Sequence, residues 1–253
     1  MLVVNKEGNL QARPLLSAPL PADARNPERA LFLSDRDATV AAIMHPCVLV
    51  PEGKTDASWL RLLGRIADAG DDGILMNEAN AFTHEVGVIP TKDARIVEVF
   101  GYLAKCHPRV LCLVDSDVAG QGYLAALCAL RLPPRAVIRW PQDWRIEDLI
   151  GWIVTPNSEL LREEEVVAAG VPDTVATFVD ALLGPLKTNE VVHALLADAI
   201  ANSTRARARV QHVLKVLALI AAGRPVNDAW AVAEDHANGV TKIWTFLDAV
   251  PGL

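Results

Sequence analysis

The sequence predicts an α/β fold: an open, mainly parallel sheet flanked by helices, followed by an all-helical domain. Three observations predict it. Four short apolar runs, at 47–50, 86–89, 110–114 and 136–140, alternate with stretches of helical period in the order β-α-β-α-β-α-β-α. Such alternation argues for parallel strands joined by right-handed crossovers. The runs are continuous rather than alternating, as expected of strands covered on both faces. Past about residue 155 the strand signal stops and only helical periods continue.

Composition supports a packed structure. The chain has 253 residues, 51% hydrophobic and 22% charged, which is enough for one large domain or two small ones. Aromatics are only 5%, so the core must be mostly Leu, Val, Ile and Ala. No apolar run approaches the ~20 residues of a membrane span, and MLVVNKEGNL is too short and too charged for a signal peptide. The four cysteines (Cys47, Cys106, Cys112, Cys128) show no CxxC spacing. They are expected as small buried residues of a cytoplasmic protein. The net charge of -7 offers no bulk attraction to nucleic acid. Carboxylates that hold divalent cations would still allow chemistry on phosphodiesters.

Taken in order, residues 1–30 carry four prolines and no sustained period, and are expected as a linker or irregular extension. Ser34 is the expected N-cap of a helix reaching Met44. CVLV (47–50) is the first strand, closed by Pro51-Glu52-Gly53. Trp59, Leu60, Leu62, Leu63 and Ile66 give the first crossover helix its period. VGVI (86–89) is the second strand, and Ile96, Val97, Val99, Phe100 and Leu103 mark the next helix. VLCLV (110–114) is the third strand, ending in Asp115-Ser116-Asp117, and a helix is expected from about Ala119 to Leu130. AVIRW (136–140) is the fourth, with Ile146–Ile150 opening another helix. Helical periods then cover about 172–183, 188–202, 204–222, 226–236 and 239–249. The expected organisation is therefore a linker at 1–30, an α/β domain at 31–155 and a helical domain at 156–253.

In parallel sheets, ligands gather beyond the carboxyl ends of the strands. Here those ends are acidic: Glu52 after the first strand, Asp115 and Asp117 after the third, and Glu147-Asp148 after the fourth. Asp115 and Asp117 are two apart, so on an extended backbone they share a side. Like charges held together call for a cation, and oxygen ligands suit Mg²⁺ or Mn²⁺. For an isolated DxD the alternative is one aspartate capping the next helix and one in solvent. Asp56 is explained by a helix N-terminus as well as by a metal. Lys54-Thr55 resembles the end of a phosphate loop, but Val48 occupies the position of that motif's first glycine, which excludes it.

Together, VLVPEGKTD, then VLCLVDSDVAG, then IEDLI resemble a Toprim domain over about residues 45–150. That metal-binding fold is shared by topoisomerases, bacterial primases and several nucleases. Asp56 four residues after Glu52, Glu147-Asp148 after the fourth strand, and a following helical region are most similar to the OLD (overcoming lysogenization defect) nucleases. Pro51 departs from the family's usual apolar residue, and Asp56 from its usual glutamate.

The resemblance implies metal-dependent cleavage or nicking of DNA, with two Mg²⁺ or Mn²⁺ ions per site. It implies one ion on Glu52, Asp115 and Asp117, and a second on Asp56 and Glu147, with Asp148 or Asp117 as further ligands. Ser116 would bind a phosphate or cap a helix. The family's active-site lysine is expected at Lys215, with Lys187 and Lys54 as alternatives. Arg205, Arg209 and His212 form a stripe at i, i+4, i+7, beside Lys215. They would contact DNA or form a solvated basic face. The other histidines (His45, His84, His107, His193, His236) have no ligand spacing. The resemblance also implies an ABC-type ATPase region as N-terminal partner, and a possible homo-oligomer formed through it. The competing expectations are a topoisomerase- or primase-type fragment and a non-catalytic Mg²⁺-binding module.

Overall fold

The computed structural model describes residues 2–6, 9–13, 16, 18–23, 26–69, 81–91, 95–154, 187, 189–226, 231–235 and 239–247. The chain opens with an antiparallel pair, β1 (Leu2–Lys6) and β2 (Asn9–Arg13), in register from Leu2↔Arg13 to Lys6↔Asn9. This corrects the irregular extension expected over 1–30. Five-residue strands of mixed polarity leave too little periodicity to stand out in sequence. A turn of helix, α1 (Asn26–Arg29), continues through a π-helical turn at Ala30–Ser34 into α2 (Arg36–Ile43). The wide turn absorbs Ser34: the Asp35 N–H donates to the Ala30 carbonyl at 2.7 Å. The N-cap position of α2 therefore falls to Asp35, one residue later than expected, without a side-chain cap bond.

The four predicted strands follow as β3 (Cys47–Pro51), β4 (Val86–Val88), β5 (Val110–Val114) and β6 (Ala136–Arg139). Between them lie α3 (Lys54–Ala69), α4 (Ala81–Glu85), α5 (Ile96–Cys106) and α6 (Val118–Cys128), and α7 (Ile146–Val154) follows β6. Next come α8 (Glu190–Asn202) and α9 (Thr204–Ala222), where helices were expected. Asn189 caps α8 by accepting from the N–H groups of Val191 and Val192, and Ser203 caps α9 by accepting from Ala206. Gly223 ends α9 at φ +67, a left-handed conformation that glycine adopts without strain.

Beyond α9 the expectation of helices fails. The stretches 226–236 and 239–249 contain strands β7 (Ala231–Asp235) and β8 (Lys242–Phe246). Apolar residues spread over so few positions fit either period, and what decides is a distant pairing. β8 runs parallel to β6, from Ala136↔Lys242 to Arg139↔Thr245. Its entry is pinned by the Thr241 hydroxyl, which donates to the Pro134 carbonyl at 2.9 Å, and by the Lys242 N–H, which donates to that of Arg135 at 3.0 Å. The region after 155 is therefore not all-helical. The helix expected over 172–183 and the domain boundary expected near 155 lie outside the described residues.

The resulting sheet has the order β4-β3-β5-β6-β8-β7, with five strands parallel and β7 antiparallel to β8 at the edge. Counted along the chain, the parallel strands run second, first, third, fourth, fifth. The winding therefore reverses between β3 and β5. Alternate strand residues feed two cores. Leu49, Leu111, Leu113 and Ile138 meet Trp59, Leu60, Leu63, Ile150, Val213 and Leu217 on the face of α3, α7 and α9. Val48, Val50, Cys112, Val114 and Val137 meet Ile43, Phe100, Leu103 and Leu127 on the other. Each such side chain withdrawn from water contributes about 1.5–3 kcal/mol. None of the four cysteines forms a disulfide, and three of them are buried. Among the described residues no helix is long and apolar enough to cross a membrane.

Candidate functional site

The reversal between β3 and β5 leaves a crevice at their carboxyl ends, the usual ligand position in such sheets. The chain leaves β3 through Glu52-Gly53 and enters α3 at once, which puts Asp56 in the first helical turn. Glu52 is half-buried and accepts the Asp115 N–H on Oε2 at 3.0 Å, tying the two strand exits together. Asp115 is the first residue past β5, and Glu147 lies in the first turn of α7. Asp56, Asp115 and Glu147 are all buried, Glu147 to 1% exposure. Carboxylates from three separate strand exits thus share one region.

Their proximity is energetically unfavourable. Burial, and then the charges of Asp56, Glu52, Glu147 and Asp117, push the Asp115 carboxyl up to about 9. Burial, and then Glu147, push Asp56 up to about 7. Glu52 adds to that rise, while Asp56's own N–H and Lys187 oppose it. The Oδ1 atoms of Asp56 and Asp115 are buried with no hydrogen-bond partner among the described residues. Buried carboxylate oxygens that repel one another and lack donors are suited to a hard cation. Among the described residues no group of three His, Cys, Asp or Glu side chains is placed to hold a metal ion.

Several expected site residues have structural work instead. Asp117 is the N-cap of α6, with Oδ1 accepting from the Gly120 N–H at 2.9 Å, so the capping half of the alternative holds, while Asp115 is buried and not in solvent. Gly120 is required there, because a Cβ would stand 1.9 Å from the Asp115 carbonyl oxygen. Asp148 accepts the Arg145 N–H at 2.8 Å, closing the start of α7 as the return half of a capping box. Ser116 neither caps a helix nor faces solvent. It is fully buried, its hydroxyl donates to the Trp140 carbonyl, and its N–H donates to that of Trp144 at 2.9 Å. It braces the exit of β5 against that of β6.

The basic residues divide similarly. Lys187 is the cation at the cluster, with Nζ 3.5 Å from Glu147 Oε1. Lys215, expected first, is half-buried on α9, and Lys54 is exposed at the start of α3. Arg205 is exposed and His212 half-buried. Arg209, expected on a DNA-facing stripe, is 6% exposed, donates to the Trp152 carbonyl, and lies over the Trp152 ring at 4.5 Å. It fastens α7 to α9. His193 packs against Trp59, one turn beyond Asp56, with ring centroids 4.7 Å apart and the planes tilted by 43°. Neither Trp152 nor Trp59 was legible as a partner, because each contact joins residues far apart in the chain.

Comparison of the chain with protein-family models, with curated proteins and with solved structures finds no match.

Proposed function

We propose that the protein is a metal-dependent phosphodiesterase that nicks or cleaves DNA, built on a Toprim-type domain of the OLD-nuclease kind. The observation that carries this is Asp115 at the topological switch point, buried beside Asp56, Glu52, Glu147 and Asp117 and lacking a hydrogen-bond partner for Oδ1 among the described residues. Doubly wound sheets serve many chemistries, so the argument rests on the carboxylates and not on the fold.

Asp115 and Asp56 would hold Mg²⁺ or Mn²⁺, with Glu52 and Glu147 beside them. The resemblance implies two ions per site. Bound there, the metal would supply activation of water and neutralisation of charge on the leaving oxygen. The protein's own groups do the rest. Asp115 and Asp56 would be favoured in their ionised forms when a cation held there relieves their mutual repulsion. Glu52, fixed by the Asp115 N–H, keeps the two strand exits at constant separation. Lys187 offsets the charge of Glu147. An ABC-type ATPase region as partner remains part of the same proposal.

The test is incubation of the chain with supercoiled plasmid in Mg²⁺, Mn²⁺, Ca²⁺ or chelator. Nicked or linear product with Mg²⁺ or Mn²⁺, and none with chelator, supports the proposal. Absence of cleavage on supercoiled, linear and single-stranded DNA with both metals refutes it. A metal-induced rise in melting temperature without cleavage would point to the non-catalytic Mg²⁺-binding module.

A further inference from the structure

We propose that Arg139, at the carboxyl end of β6, is a phosphate contact that holds the nucleic-acid backbone next to the carboxylate cluster. This rests on the phosphodiesterase reading and adds a binding residue to it.

Arg139 is the register partner of Val114, the residue before Asp115. It therefore stands one strand spacing, about 4.8 Å, to the side of the chain that carries the cluster. It lies two residues beyond Val137 and shares that residue's face, the side covered by α5 and α6. Asp115 meets Asp56 and Glu147 across the other face. A strand lying over the carboxyl edge of the sheet would meet both.

The residue type is unexpected at this place. A parallel strand covered on both faces calls for an apolar residue, as at the three preceding positions Ala136, Val137 and Ile138. Arg139 is instead half-buried, with Nε enclosed and without a hydrogen-bond partner among the described residues. Neighbouring cations are engaged: Arg145 with Asp148, and Lys187 with Glu147. Among the described residues Arg139 has no carboxylate partner. An edge this acidic repels a polyanion unless a cation receives it, and a guanidinium matches two phosphate oxygens with one fork.

The experiment measures anisotropy of a fluorescein-labelled single-stranded DNA oligonucleotide with the full chain in Ca²⁺, at several salt concentrations. Parent, Arg139→Met and Arg139→Lys are compared, with melting curves as a folding control. Met keeps the apolar stem, and Lys keeps the charge without the fork. For Arg139→Met the expected result is about a tenfold rise in Kd and a salt slope lower by about one. At DNA concentrations well below Kd the cleavage rate in Mg²⁺ should fall in step with the affinity, about tenfold. Arg139→Lys should restore the slope and bind about threefold more weakly than the parent. If Arg139→Met binds with the parent's Kd and slope while the parent cleaves, this inference falls and the phosphodiesterase reading stands. If the parent neither binds nor cleaves, both fall. Should Arg139→Met not fold, Arg139→Lys decides: weaker binding at the parent's slope supports the contact, and an unchanged Kd overturns it.

Discussion

Replacing Asp115 with asparagine should make the metal-free protein more stable. In the unfolded chain this carboxyl ionises at an ordinary aspartate value near 3.8, whereas in the folded protein it is pushed up to about 9. The folded state thus holds the proton more tightly. Stability contributed by this group is complete below pH 3.8 and is lost as pH rises towards 9. Each pH unit in that window costs about 1.4 kcal/mol, so by pH 7 the loss is at most about 4 kcal/mol. Asp56 reports the same mutual repulsion and is not added to it. A neutral carboxamide of the same shape escapes this loss. Asp115→Asn should therefore exceed the parent by about 2–4 kcal/mol at pH 7 in chelator, with the difference shrinking towards pH 4. Urea titrations at several pH values measure it. Mg²⁺ or Mn²⁺ should then narrow the difference, because a ligand at a hundred times its Kd stabilises by about 2.7 kcal/mol and the variant has lost an anchor for it. An Asp115→Asn protein less stable than the parent by an amount independent of pH would refute the reasoning. Asp115 would then be a structural hydrogen-bonding group and not a strained ligand.

Other substitutions separate framework from chemistry. Ser116→Ala should cost about 1–3 kcal/mol by leaving the Trp140 carbonyl unpaired, while oligonucleotide affinity stays at the parent's value. Lost affinity at unchanged stability would return Ser116 to a phosphate. Arg209→Ala should lower stability by about 2–4 kcal/mol through loss of the Trp152 hydrogen bond and ring contact. Arg205→Ala, at an exposed position of the same helix, should leave the melting temperature alone and weaken DNA binding. Equal and small effects of the two on binding would remove α9 from the DNA interface. Gly120→Ala should cost about 3 kcal/mol or more, since backbone at the Asp115 carbonyl must move to admit a methyl. A variant that melts with the parent would show that α6 shifts freely.

What could be read from sequence depended on whether the deciding partner is local. The runs at β3, β5 and β6 are apolar because both faces of a central parallel strand are covered, and that signal is contained within the run itself. The acidic strand exits follow from the same pattern, which is why Glu52, Asp56, Asp115 and Glu147 could be named together. β8 is different: KIWTF becomes a strand because β6 offers it a ladder from a segment about a hundred residues away, and nothing in the five residues records that. Among the described residues β7 pairs only with β8 and inherits the same obscurity.

The acidic pairs show where the same limit falls inside the site. Asp115 and Asp117, like Glu147 and Asp148, are nearly equivalent as letters, and both pairs open a helix. A capping carboxylate accepts an N–H within three residues, so Asp117 on Gly120 and Asp148 on Arg145 each satisfy a helix end locally. Once one member of each pair is used in this way, its neighbour is directed towards the crevice between the strands. Asp115 and Glu147 are thus held in the cluster partly because Asp117 and Asp148 fix the helix starts beside them. Division of labour within each pair also explains why the cluster tolerates its own repulsion. The caps anchor the backbone, and the burial of Asp115 and Glu147 follows from where α6 and α7 must begin. Lys187 then sets the remaining balance of charge from a segment that approaches Glu147 only in the folded chain. The family resemblance and the helical stripe favour Lys215, whereas the folded chain brings Lys187 Nζ to 3.5 Å from Glu147 Oε1.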